Sequence, residues 1–154
     1  MAARRPSPPL DGFLTYRLHQ VNKITDRASV EAYARELALP VGEARCLAAI
    51  GGFAPLSVNQ LAARANLDKA QASRATQALV RRGLVAKEAS ASDARGVVLR
   101  PTAEGQRLWV RVMRLIARRN GEIFGCLSAS EQQALAALLE RVLANARSAR
   151  GGPA

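Results

Sequence analysis

The residues best equipped for chemistry lie between Asp68 and Gly83. There Lys69, Gln71, Ser73, Arg74 and Gln77 occupy the polar side of a segment whose apolar positions, Ala72, Ala75, Leu79 and Val80, recur at helical spacing. Amide and guanidinium groups pair two-pronged with the edges of adenine and guanine, and an α-helix is an element that enters the major groove of B-DNA. The chemistry on offer is recognition by hydrogen bonding. Bond-making chemistry has little to work with: there is one histidine, His19, no carboxylate pair placed by a motif, no nucleophile beside a base and no glycine-rich phosphate loop. No enzyme is expected.

A second pair of charges, Asp93 and Arg95, stands in the small-residue stretch "ASASDARG". The runs "LVAKE" and "GVVLR" on either side read as strands, which makes residues 89–96 the tip of a hairpin. A small-residue tip lets Arg95 reach a narrow, electronegative minor groove, and Asp93 can restrict the guanidinium to a productive rotamer by pairing with it. Facing phosphate alone, Asp93 would be repelled.

These residues need elements to hold them. Ser57 with Gln60, and Asp68 with Gln71, have the spacing of capping boxes, in which each side chain satisfies an orphan backbone donor at a helix start. Asn66 can close the first helix in a left-handed turn, and Gly83 can end the second. The expected order is helix, tight turn, helix, hairpin. Phosphates would be held at the helix start that Ser57 caps and by the flanking Arg81 and Arg82, contacts that fix register without reading sequence.

Upstream, Leu10, Phe13, Leu14, Leu18, Val21, Ile24 and Ala28 predict one long helix, or two joined by a bend near Ser29, before Pro40; a short helix follows and is expected to stop at Gly51 and Gly52. Downstream, Pro101 should break the second strand and Thr102 should cap a long helix on which Trp109 and Met113 are packing residues. Ser128 with Glu131 then opens a last helix carrying Leu135, Leu138, Leu139, Val142 and Leu143. The arginines at 107, 111, 114, 118 and 119 read as a solvated face.

Composition supports a polyanionic partner. The 154 residues hold 23 Lys and Arg against 12 acids, a net +11 and a pI near 11.3, and such a surplus creates a field that attracts nucleic acid or anionic surfaces. Residues 57–100 alone carry eight basic residues against three acidic ones. No apolar run is long enough to span a bilayer. The start "MAARRPSPPL" lacks the apolar core of a secretory signal, so a cytoplasmic protein with a disordered N-terminal arm is expected. Cys46 and Cys126 lie singly in apolar helical stretches, where a buried, inert thiol is the common outcome; neither a metal site nor a cofactor is predicted.

The run "LPVGEARCLAAI…SVNQLAARANLDKAQASRATQALVRRGLVAKEASASDARGVVLRPTAEG" resembles the MarR family of bacterial transcriptional regulators. That family joins a winged helix-turn-helix to a D-x-R wing and a T-x-x-G helix start, and Asp93, Arg95, Thr102 and Gly105 fall on this pattern. Pro101 stands where the family usually has leucine, and Pro40 where it usually has threonine or serine. The similarity extends over roughly residues 10–146.

The resemblance implies a mostly α fold with a small β-hairpin wing: an arm over 1–9, N-terminal dimerisation helix or helices over 10–38, the DNA-binding domain over 39–101, C-terminal dimerisation helices over 102–147 and a disordered tail over 148–154. It implies a homodimer on a pseudo-palindromic operator of double-stranded DNA, and the apolar stripes of the terminal helices independently ask for a partner. Phe13, Leu14, Leu18, Leu138, Leu139 and Val142 are the interface candidates. It further implies a crevice that admits a small aromatic acid or phenol, toward which Tyr16, His19 and Arg45 offer a ring, a donor and a cation. The expected function is a ligand-released repressor. The alternatives are a nonspecific architectural DNA-binding protein and a cysteine-based redox sensor, although relatives that sense peroxide place a cysteine early in the first helix, where this chain has Thr15 and Tyr16.

Overall fold

The computed structural model describes residues 8–92 and 96–150. Two compact units divide the chain, Met1–Ile116 and Ala117–Ala154. In the first, a 3-10 turn over Leu10–Gly12 leads into α1 (Leu14–Leu37). This is one unbroken helix: at the expected bend the Ser29 hydroxyl donates to the Thr25 carbonyl at 2.8 Å, folding back on its own helix. It ends at Ala38, whose left-handed backbone (φ 51°) turns the chain before Pro40.

Helix α2 (Val41–Phe53) runs through Gly51 and Gly52, where a stop was expected. Gly51 serves packing instead. The Trp109 indole lies where a Cβ on Gly51 would be, and its Nε1 donates to the Ala48 carbonyl at 3.2 Å. The helix stops because Pro55 forces the preceding Ala54 out of the helical region (φ −56°, ψ 146°).

Both expected capping boxes form. At the start of α3 (Val58–Ala65) the Gln60 N–H donates to Ser57 Oγ at 3.2 Å and the Ser57 N–H to Gln60 Oε1 at 2.9 Å. At the start of α4 (Lys69–Arg81) the Gln71 N–H donates to Asp68 Oδ1 at 2.7 Å and the Asp68 N–H to Gln71 Oε1 at 3.1 Å. Asn66, left-handed at φ 54°, supplies the turn between them. Gly83 (φ 68°) then releases the chain from α4 into β1 (Val85–Ala89), which pairs antiparallel with β2 (Val97–Pro101). Pro101 is the last residue of the ladder, opposite Val85, and does not break the strand; Leu56 bridges Leu99 on the outer edge of β2.

Helix α5 (Ala103–Phe124) starts with a device that accounts for the T-x-x-G pattern. Thr102 Oγ1 donates to the Gly83 carbonyl at 2.6 Å and accepts the Gly105 N–H at 3.0 Å, while a Cβ on Gly105 would overlap the Leu84 carbonyl oxygen. The core of this unit closes over Leu39, Leu47, Ile50, Leu61, Leu79, Leu99 and Val112, all fully buried. Each such side chain contributes about 1.5–3 kcal/mol by leaving water.

The second unit comprises the end of α5 and α6 (Ala129–Arg150), which extends past the expected end at residue 147. Its capping box also forms: the Ser128 N–H donates to Glu131 Oε2 at 2.7 Å and the Glu131 N–H to Ser128 Oγ at 3.3 Å. These bonds hold the Glu131 carboxyl below the usual carboxylate range. Leu138, Leu139, Val142 and Leu143 of α6 are exposed, as are Leu10, Phe13, Leu14, Leu18, Val21 and Ile24 at the N-terminal end of the first unit.

Candidate nucleic-acid interface

Helix α4 is amphipathic in the sense its sequence requires. Ala72, Ala75, Thr76 and Leu79 are buried, and Lys69, Gln71, Arg74 and Gln77 are exposed, with Ser73 half-buried beside them. Thr76 was missed as a core residue because its hydroxyl reads as polar; the hydroxyl donates to the Ala72 carbonyl at 2.8 Å, so its burial leaves no unsatisfied donor. Among the described residues Lys69, Arg74 and Gln77 have no hydrogen-bonding or ion-pair partner, which leaves their polar ends available.

Gln71 differs. Its amide oxygen accepts the Asp68 N–H in the capping box, so pairing two-pronged with adenine would require it to abandon the cap. Arg74 and Gln77 are the side chains on this face with both prongs disengaged.

Ser57 is half-buried at the start of α3, and its hydroxyl and Gln60 satisfy two backbone donors of the first turn, leaving the Val58 and Asn59 N–H groups without a cap. The cleft beside this helix start is lined by Pro55, Ser57 and Gln60 on one side and by Glu88, Val98 and Arg100 of the hairpin on the other. Arg100 pairs with Glu88 at 3.0 Å across the strands. Asp93 and Arg95, the expected wing pair, lie outside the described residues.

Arg81 and Arg82 point to different uses. Arg81 is exposed, without a described partner. The Arg82 guanidinium is turned to the protein: Nη1 donates to Glu43 Oε2 at 2.9 Å, and both terminal nitrogens lie 3.4 Å from the Ala38 carbonyl oxygen. An expectation of a phosphate-facing Arg82 has to reckon with these bonds.

The three candidate effector residues do not come together. Arg45 is in a cleft of about 620 Å³ bordered by α1, α2, the end of α3 and α5, where it pairs with Asp26 at 2.9 Å. The apolar side of this cleft includes Tyr33, Phe53, Met113 and Ile116, and the Arg64 guanidinium stacks 4.6 Å from the Phe53 ring centroid. Tyr16 and His19 instead line a separate groove on α1 with Gln20, Lys23 and Arg27, where the Gln20 amide donates to the Tyr16 hydroxyl at 3.2 Å. Met113 thus borders the cleft rather than being enclosed in the core.

Two further expectations concern cysteine. Cys46 is fully buried, and burial, with Glu43 nearby, pushes its thiol up to about 11. Cys126 is exposed in the turn between α5 and α6, not buried as its apolar surroundings in the sequence suggested. Among the described residues no group of His, Cys, Asp and Glu could hold a metal, and no helix is long and apolar enough to cross a membrane.

A two-helix unit joined by a tight turn, followed by a two-stranded wing and offering an exposed amide and guanidinium face, defines a winged helix-turn-helix protein. Residues 39–96 match the model of the MarR family. No curated protein matches the chain. Among solved structures, a MarR family transcriptional regulator from Silicibacter pomeroyi superposes with a TM-score of 0.80 at 26% identity, covering 92% of this chain and 97% of that one. A MarR/EmrR family regulator from an Acinetobacter species has a TM-score of 0.83 at 19% identity, over 92% and 99% of the two chains. The PcaV transcriptional regulator from Streptomyces coelicolor, solved in complex with its natural ligand, has a TM-score of 0.70 at 26% identity, over 91% and 98%. Residues 39–96 are thus similar to the MarR family, and the described fold is that of MarR family winged helix-turn-helix transcriptional regulators, which are DNA-binding proteins and not enzymes.

Proposed function

We propose that the chain is a homodimeric repressor that binds a pseudo-palindromic operator with α4 of each subunit in a major groove. The observation that carries this reading is the exposed row Lys69, Arg74 and Gln77 on a helix whose opposite side is locked into the core. Arg74 and Gln77 read base edges, Ser73 and Gln71 contribute single hydrogen bonds, and Lys69 with Arg81 neutralises phosphate. The uncapped N–H groups at the start of α3 and the hairpin arginines, Arg95 and Arg100, hold the backbone on either side. Phe13, Leu14, Leu18, Leu138, Leu139 and Val142 form the subunit interface.

Release follows when an aromatic or phenolic acid enters the Arg45 cleft. The cleft reaches Arg64, Ala65 and Asn66, the end of α3 and the turn into α4, so an occupant touches the element that aims the reading helix. Such a ligand acts only if it prefers the non-binding geometry; equal affinity for both geometries shifts nothing. Tyr16 and His19 line a separate groove and are assigned to the ligand only if a partner subunit closes that groove.

Selecting duplexes from a random pool with the purified protein, with and without benzoate and salicylate, tests the reading. A palindromic consensus, bound at least about 10³-fold better than scrambled DNA at fixed salt and released by either acid, is expected. Uniform affinity for all duplexes would instead establish an architectural protein.

A further inference from the structure

We infer that Arg82 is a positioning residue for α4: it fastens the exit of the reading helix to the α1–α2 junction and thereby sets the angle at which α4 meets a duplex. This rests on the base-reading role proposed for α4. Arg82 is the C-cap of that helix, and its guanidinium bridges two other elements at once. Nη1 meets the Glu43 carboxylate of α2 at 2.9 Å, and the fork straddles the carbonyl of Ala38, the C-cap of α1, at 3.4 Å from each nitrogen.

The environment suits a fastening better than a DNA ligand. The Glu43 side chain is 14% exposed and that of Arg82 39%, so the pair is sheltered on its acidic side, where withdrawing the cation would leave a carboxylate without its partner. The Ala38 carbonyl stands at the negative end of α1, which favours a cation there. Arg81, one residue earlier and exposed, has no such tie. On the other side of Arg82, Gly83 turns left-handed and its carbonyl accepts the Thr102 hydroxyl at 2.6 Å. The exit of α4 is therefore held at two points, one toward α1 and α2 and one toward α5, and its tilt depends on both.

A phosphate ligand and a positioning residue leave different signatures. With the duplex selected by the wild-type protein and a scrambled duplex as probes, Arg82→Gln and Glu43→Gln should each lower the preference for the selected duplex roughly tenfold. The double variant should be little worse than either alone, because both break one fastening. The salt slope of binding should stay at its wild-type value in all three, whereas loss of a phosphate contact lowers it by about 0.9. The charge swap Arg82→Glu with Glu43→Arg should restore only part of the preference, because a carboxylate at position 82 re-forms the tie to α2 but not the one to the Ala38 carbonyl; a cation needed by DNA at position 82 would leave the swap no better than Arg82→Gln. Circular dichroism and thermal melting identify the folded variants, and the two glutamine variants decide the matter if the swap does not fold. An Arg82→Gln protein that loses affinity for both duplexes equally with a smaller salt slope, beside an unaffected Glu43→Gln, would overturn the inference. So would an unchanged preference in both variants. Wild-type protein with no preference at all would remove the base-reading function and this role with it.

Discussion

At the scale of single residues, specificity in the proposed function falls to Arg74 and Gln77, because they are exposed on α4 and, among the described residues, neither capping nor pairing engages them. Arg74→Ala should cost about 1–3 kcal/mol of discrimination between the selected and scrambled duplexes, measured by competition anisotropy at one salt concentration; discrimination equal to wild type would remove Arg74 from base reading. Gln71→Ala should show a different balance, a loss of thermal stability alongside any loss of affinity, since its amide oxygen closes the cap of α4. The two cysteines also separate at this scale. With its thiol pushed up to about 11, Cys46 should resist alkylation of the native protein at pH 8, while exposed Cys126 should react. The folded state keeps its proton on Cys46 longer than the unfolded chain does. This contribution to stability is therefore present below pH 9 and declines as pH rises toward 11. Modification of both thiols at equal rates, followed by mass spectrometry, would contradict the burial of Cys46.

At the scale of elements, the junction of hairpin and α5 is the least tolerant point. Gly105 is buried against the Leu84 carbonyl, and Thr102 both caps α5 and holds Gly83. Gly105→Ala should destabilise the fold by about 1–3 kcal/mol through overpacking, read as a lower midpoint in urea, whereas the same change at Gly52, where a Cβ meets nothing, should not. An undiminished midpoint for Gly105→Ala would show that α5 can slide away from β1. The capping boxes were legible in sequence because each is local: Ser57 with Gln60, Asp68 with Gln71 and Ser128 with Glu131 need only three-residue spacing and a helix to follow. The run of α2 through Gly51 and Gly52 was not legible, because the reason for it, the Trp109 indole, lies far along the chain.

For the whole molecule, the proposed homodimer rests on the exposed apolar side chains of α1 and of α6. Leu139→Asp should give a monomer by sedimentation velocity and with it a loss of tight operator binding, since two half-sites must be engaged together. A dimer of wild-type mass would refute the assignment of α6 to the interface. Net charge acts at this scale as well: with +11 spread over the chain, association with any duplex should weaken steeply with salt, and only the difference between duplexes reports on α4.

Sequence alone determined the order helix, turn, helix, hairpin, the helix starts, and the side of α4 that faces outward, because caps, turns and amphipathic spacing are set by residues a few positions apart. It could not determine which polar side chains remain available. Gln71 is drawn into a cap, Thr76 into the core and Arg82 onto Glu43 and Ala38, and Arg45 meets Asp26 in a cleft that Tyr16 and His19 do not share. The Arg82 and Arg45 pairings join residues 39 and 19 positions apart, and such partners are chosen only when the helices pack. A charged group's surroundings, not its type, decide whether it reads a ligand or holds the protein together.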